Sequence, residues 1–285
     1  MGTSVSDLIQ DITGLVSFPA VGMRVNEMVN DPATTAAQLG DVISQDPALT
    51  AQVLQIANSA AFGRTAQIST ISRAVTVVGT KLIRDLVLAG STVHAFEGIP
   101  NDLVSLEDFW RHSLYCGVAA RFLAEQRGSK GTETLFIAGM LHDVGQLVIF
   151  RKLPQESRQA LLLSVEGDED FALHHAEQQT LGFDHAQVGA ALLRRWNFPP
   201  LLVECTEFHH APALAGQFPV EAALVHLANS IAQLAEIDSL DEEEALLTEP
   251  AAWTVTGLDK GVIEPAVRAA QQQFAAVQGM FGGQT

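Results

Sequence analysis

Positive charge is what this 285-residue chain has least of. Lys and Arg number 16 against 33 Asp and Glu, for a formal charge of −17 with histidine neutral. No cluster of Lys and Arg occurs, so direct binding to DNA or RNA, which rests on cationic contacts to phosphate, is disfavoured. The same balance argues against docking on an anionic membrane surface. Cysteine is nearly absent: Cys116 and Cys205 lie far apart in helical apolar patterns and read as two buried, reduced thiols. Aromatics make up 6% with a single Tyr, and alternating runs of Val, Ile and Thr are scarce, whereas apolar residues reach 47%, many of them Ala and Leu. An all-α chain with a sizeable core is expected. Neither a signal peptide nor an apolar run long enough to span a bilayer is visible, which gives the expectation of a soluble, cytoplasmic protein.

What is present is helix punctuation. Ser4 or Ser6 starts a helix through Val16, closed by Phe18-Pro19, and Met23 to Val29 forms a second. Thr34 or Thr35 caps the next, and Asp46-Pro47 combines an N-cap carboxylate with a first-turn proline for a helix to Asn58. Ala61-Phe62-Gly63 is a turn. Ile68 to Val78 is helical up to Gly79, and Thr80 caps a helix to Phe96. This first third is a set of five or six short helices. Gly, Pro and Asn cluster at Gly98 to Asn101 and mark a boundary, so the chain divides into 1–98, 99–240 and a C-terminal extension, 241–285. Ser105 and Asp108 start a long helix to Arg127, and Thr132 caps another that Gly145 breaks. Helices follow at Pro154 to Val165, Asp170 to Gln179, His185 to Trp196, Leu201 to His210 and Val220 to Ala235. After the acidic run Asp238 to Glu244, the tail from Gly257 to Phe281 holds one more.

The chemistry collects around Leu135 to Phe150, where His142-Asp143 stands in apolar surroundings. A buried carboxylate is costly unless it is paired, hydrogen-bonded or bound to a cation. Other polar groups sit one to a helix: His112 upstream, then His185, the pair His209-His210, and Asn229. A divalent ion in a helical bundle takes imidazoles and carboxylates projecting inward from several helices. His142 and Asp143 can both reach one centre if their helix ends there. His94, His174, His175 and His226 fall outside this pattern and default to surface or hydrogen-bonded roles.

Several motifs in order resemble the HDOD branch of the HD superfamily of metal-dependent phosphohydrolases. They are Ser44-Gln45-Asp46-Pro47-Ala48-Leu49-Thr50, Ile56-Ala57-Asn58-Ser59-Ala60, and Ile71-Ser72-Arg73-Ala74-Val75 with Val78-Gly79. Gly139-Met140-Leu141-His142-Asp143-Val144-Gly145 follows, then Leu181-Gly182-Phe183-Asp184-His185 with Val188-Gly189, and His209-His210. The resemblance runs from about Leu15 to Ile237. It implies an HD-domain-like helical bundle over 99–240, with 1–98 as the N-terminal helical part of the module.

By the same resemblance His112, His142 and Asp143 match three members of the HD pattern, with Asn229 where a fourth, an Asp, is expected. His185, His209 and His210 match the extra ligands of branches that hold two or more metals, with Asp143 bridging. The implied cofactor is one or two divalent ions, iron or manganese in preference. Gln146 stands near where related phosphodiesterases carry a Lys, and Ala211-Pro212-Ala213 replaces the Gly-Tyr-Pro motif of the cyclic-di-GMP-cleaving branch. Arg111 and Gln146 are the candidates to meet a ligand, and Lys81 or Arg84 could add charge if folded nearby. Two readings stay open. One is a bacterial signalling module without turnover that binds a partner protein or small ligand. The other is a metal-dependent phosphohydrolase or phosphodiesterase acting on a nucleotide.

Overall fold

Local capping sets most of the helix starts. In the computed structural model, which describes residues 4–12, 18–58, 68–97, 103–166, 173–237 and 250–277, every regular element is helical. Six helices come first: α1 (Val5–Ile12), α2 (Ala20–Val29), α3 (Ala36–Ile43), α4 (Pro47–Asn58), α5 (Ile71–Val78) and α6 (Thr80–Phe96). Thr35 closes a full capping box with Gln38, and Thr70 caps α5 by accepting from the Arg73 amide. Ile68 to Thr70 therefore precede α5, because the threonine hydroxyl takes an orphan donor of the first turn. The Val16 end of the first helix, the turn at Ala61 to Gly63, the boundary at Gly98 to Asn101 and the acidic run from Asp238 lie outside the described residues.

The larger set is α7 (Leu106–Arg127), α8 (Thr132–Leu141), α9 (Val144–Lys152), α10 (Pro154–Glu166), α11 (Leu173–Leu181), α12 (His185–Arg195), α13 (Pro200–Phe208) and α14 (Pro219–Glu236). Two further helices, α15 (Pro250–Thr256) and α16 (Ile263–Val277), pack on α14, and α16 also stacks Phe274 on Tyr115 of α7 at 4.5 Å. The centre of the bundle is α7 against α8 and α14. Its core includes Leu114, Leu123, Phe136 and Leu224, all essentially without solvent access. Each such side chain contributes roughly 1.5–3 kcal/mol through burial. Both cysteines are buried and unbridged, and burial pushes the Cys205 thiol well up.

Further features differ from expectation. Thr80 and Thr132 are the first helical residues of α6 and α8 rather than their caps, which are Gly79 and the left-handed Gly131. Thr132 to Lys152 is apolar and long enough by composition to cross a membrane, but 83% of that window is buried within the bundle and the helix is interrupted in its middle. It is a core element. The interruption itself falls at His142-Asp143, not at Gly145, which lies inside the first turn of α9. A Cβ on Gly145 would stand 2.0 Å from the His185 carbonyl oxygen and 2.5 Å from the Gly189 amide, so this glycine sets the close approach of α9 to α12.

The first six helices meet the rest at three places. Phe18 and Phe96 pack on Trp196, with ring centroids at 4.8 and 6.4 Å, and Phe198 completes the cluster. Beside it the buried Asn26 amide donates to the Asn197 carbonyl at 2.7 Å. At the second place Asp85 of α6 binds Arg84 through Oδ1 and accepts from the Thr134 hydroxyl of α8 at 3.3 Å through Oδ2. Arg84 is thereby committed to a structural pair. Helix α1 crosses over to pack on α12 and α9.

Candidate metal centre

Two helix ends build the floor of the site in the same way. His142 follows the last residue of α8 and His209 the last residue of α13. A helix C-terminus leaves carbonyls without intrahelical partners. The Nδ1–H of His142 donates to the Gly139 carbonyl at 2.7 Å, and that of His209 to the Thr206 carbonyl at 2.8 Å. Each bond fixes the tautomer and turns Nε2 inward as a lone-pair donor. Both Nε2 atoms are fully buried and have no hydrogen-bond partner. His226 braces this floor by donating Nδ1–H to the His209 carbonyl at 2.6 Å.

Asp143 stands at the N-cap of α9, where a carboxylate would ordinarily accept from the first turn, yet it makes no capping bond. Its oxygens instead divide the imidazoles between them. Oδ1 lies 3.1 Å from His185 Nε2 and 3.4 Å from His209 Nε2, and Oδ2 lies 3.3 Å from His142 Nε2 and 3.9 Å from His112 Nε2. His210 Nε2 is 2.8 Å from His185 Nε2. Two sets of donors result, each with its ligand atoms within 4.8 Å of one another: Asp143, His185, His209 and His210, and His112, His142 and Asp143. A single carboxylate shared between two such sets is the arrangement of a two-ion site.

Behind these donors stand residues that the sequence pattern did not single out. Glu177 of α11, itself buried, accepts both the His185 ring Nδ1–H at 2.6 Å and the His185 backbone amide at 2.8 Å. His185 is the first residue of α12, so its amide is an orphan donor, and Asp184 caps the same turn in a box with Gln187. Glu236, seven residues after Asn229 on α14, binds His112 Nδ1 at 3.1 Å, while the Asn229 amide oxygen lies 2.9 Å from His112 Nε2. His174, expected at the surface or in a hydrogen-bonded role, stacks on His210 with centroids 4.0 Å apart and an 11° tilt, and its Nδ1 is buried without a partner.

The charges respond to this crowding. Burial opposes a charge on Asp143, but the imidazoles of His142 and His185 hold its carboxyl well below the usual range. Burial likewise opposes protonation of His185; the carboxylates of Glu177 and Asp143 override it and raise its pKa to about 10. Asp143 raises His142 against the same opposition. His209, by contrast, is pushed down to about 4 by burial, and burial, helped by the neighbouring imidazoles, drives His210 well down too. A divalent cation fits this donor set: it would satisfy the orphaned Nε2 atoms and the Asp143 oxygen.

Of the two residues expected to meet a ligand, Arg111 binds Asp108 at 2.7 Å and lies 3.9 Å from Glu236 through Nε. Gln146 is half-buried in the first turn of α9, where its backbone amide donates to the Asp143 carbonyl.

Comparison with known proteins places this arrangement. A family model, the HDOD domain, matches residues 15–212. The solved structure of an HDOD domain protein with unknown function from Geobacter sulfurreducens is 26% identical and superposes with a TM-score of 0.76, over 97% of this chain and 98% of that one. A Shewanella amazonensis SB2B protein whose provisional name is phosphohydrolase is also 26% identical, with a TM-score of 0.75 over 96% and 98% of the two chains. An uncharacterized protein of Treponema pallidum (strain Nichols) is 26% identical over 211 residues, 74% of this chain but only 40% of that relative's length. With the match spanning well over half of its length, the chain belongs to the HDOD family.

Proposed function

We propose that this chain is a regulatory HDOD module of a bacterial cytoplasmic signalling system, in which a divalent-metal centre supports binding of a partner protein or small ligand without turnover. The observation that carries the reading is a contrast within the site. Its donors suit a cation, with buried Nε2 atoms of His142 and His209 and an Asp143 oxygen left without partners. Its surroundings do not suit a phosphate: Arg111 is held by two carboxylates, Arg84 is spent on Asp85, and Gln146 is neutral. His112, His142, Asp143, His185, His209 and His210 would hold the ion or ions, with the Asn229 oxygen adding a neutral donor. Iron or manganese is the ion preferred by the family resemblance, and imidazole and carboxylate donors are compatible with either. An ion held there would act as a Lewis acid toward a ligand oxygen.

A second reading, a phosphohydrolase acting on a nucleotide, is favoured by one feature, the Asp143 carboxylate divided between two donor sets. Elemental analysis after exposure to Fe²⁺, Mn²⁺ and Zn²⁺, beside a nucleotide hydrolysis panel, separates the two. Metal content that falls in both His142→Ala and His209→Ala, with no hydrolysis above the metal-only background, is expected. Hydrolysis that disappears in both variants and rises in Asn229→Asp would establish the enzyme instead. No metal under any condition would sink both.

A further inference from the structure

The two donor sets around Asp143 differ in ways that the number of histidines alone hides. We infer that they are unequal ion positions: an inner one, His185, His209, His210 and Asp143 Oδ1, that retains its ion because Glu177 stands behind His185, and an outer one, His112, His142 and Asp143 Oδ2, whose ion exchanges. The inference rests on the metal reading given above and assigns Glu177 as a positioning residue that acts through His185.

Three observations carry it. The inner set offers three imidazoles and a carboxylate oxygen, and two of those imidazoles, His185 and His209, are shut off from solvent. The outer set offers two imidazoles and the other oxygen of the same carboxylate, and its His112 side chain keeps 17% exposure. Second, the supporting charges are unlike. Glu177 is 1% exposed, its Oε2 spends both bonds on His185, and its Oε1 has no hydrogen-bond partner. Its hydrogen bonds go to His185 alone. Glu236 behind His112 is 23% exposed at its side chain and shares its charge with Arg111, so solvent and a guanidinium both weaken it. Third, the remaining outer group is the neutral amide of Asn229, which brings no charge to a cation. A buried carboxylate that accepts from a ligating imidazole raises the ligand's basicity and locks its orientation, and removing such a partner typically weakens metal affinity 10- to 100-fold. The outer set lacks that support.

The test is a Mn²⁺ or Zn²⁺ titration of the full chain against a competing chelator, with elemental analysis after desalting. One equivalent retained and a second that washes out is expected. His210→Ala should lose the retained ion, and His112→Ala should keep it. Glu177→Gln, which preserves an oxygen able to accept from His185, should weaken the retained ion about 10- to 100-fold with an unchanged thermal midpoint of the ion-free protein. Asn229→Asp should convert the exchanging ion into a second retained one. Two ions of equal affinity, or retention lost in His112→Ala and kept in His210→Ala, would overturn the inference while leaving the metal reading intact. Should Glu177→Gln fail to fold, the two histidine variants decide alone. Absence of any ion would overturn the metal reading itself.

Discussion

The first six helices and the eight that follow bury polar groups in opposite ways. In α1 to α6 most buried polar groups are answered by the fold: Asn26 donates to a carbonyl, Thr92 bonds back to Leu88 and Asp85 is gripped by Arg84 and Thr134. In α7 to α14 the buried imidazoles and Asp143 converge on one point and leave the Nε2 atoms of His142 and His209 unanswered. Unsatisfied buried polar atoms cost roughly 1–3 kcal/mol each. The first half is largely satisfied by its own packing. The second gathers donors that a cation could complete.

The variant that should break this contrast most completely is Asp143→Ala. It removes the one ligand both donor sets share, and metal retention should fall to background by elemental analysis. Retention near one equivalent would mean that the imidazoles alone suffice. Next in size is Trp196→Ala, which empties the aromatic cluster joining the halves. A loss of about 3–5 kcal/mol in denaturant unfolding is expected from deleting a buried indole. A change below about 1 kcal/mol would show that the cluster does not join them.

Gly145→Ala should cost about 1–3 kcal/mol by overpacking, since its Cβ meets backbone of α12 at 2.0 Å. Because that backbone belongs to His185, chelator competition should also reveal weaker metal retention; stability lost with retention unchanged would uncouple the α9–α12 contact from the site. Smallest is Asp85→Asn. Burial raises the Asp85 pKa against the pull of Arg84. The folded chain therefore holds this proton above the unfolded value of about 3.8, and stability falls as pH rises through that window. Denaturant melts between pH 4 and 6 should show a shallower decline in the variant, and identical slopes would remove Asp85 from the account.

How much was legible depended on how local the cause was. The capping box at Thr35, the cap at Ser105 and the left-handed glycine ending α7 at Gly128 each act within one turn, and the sequence carries their signal directly. The clustering of His112, His142, Asp143, His185, His209 and His210 was legible because the order of motifs, not any single residue, marked it. Glu177 and Glu236 were not, since an isolated Glu on a polar helix looks solvated until another helix brings a histidine to it. The seven-residue step from Asn229 to Glu236, one face of α14, was the available hint. His174 was misplaced for the same reason: its stacking on His210 joins α11 to the end of α13. Gly145 was read as a breaker because glycine signals both turns and close approach, and only the position of α12 distinguishes them.

Asn197 sits between the two arms of the arrangement. It is the sole non-glycine residue with positive φ, 56°, among those described, and it turns the chain between α12, which carries His185, and α13, which delivers His209. Its carbonyl is held by Asn26 from the other half. The N-terminal helices thereby hold the turn that joins the helix opening on His185 to the helix ending before His209.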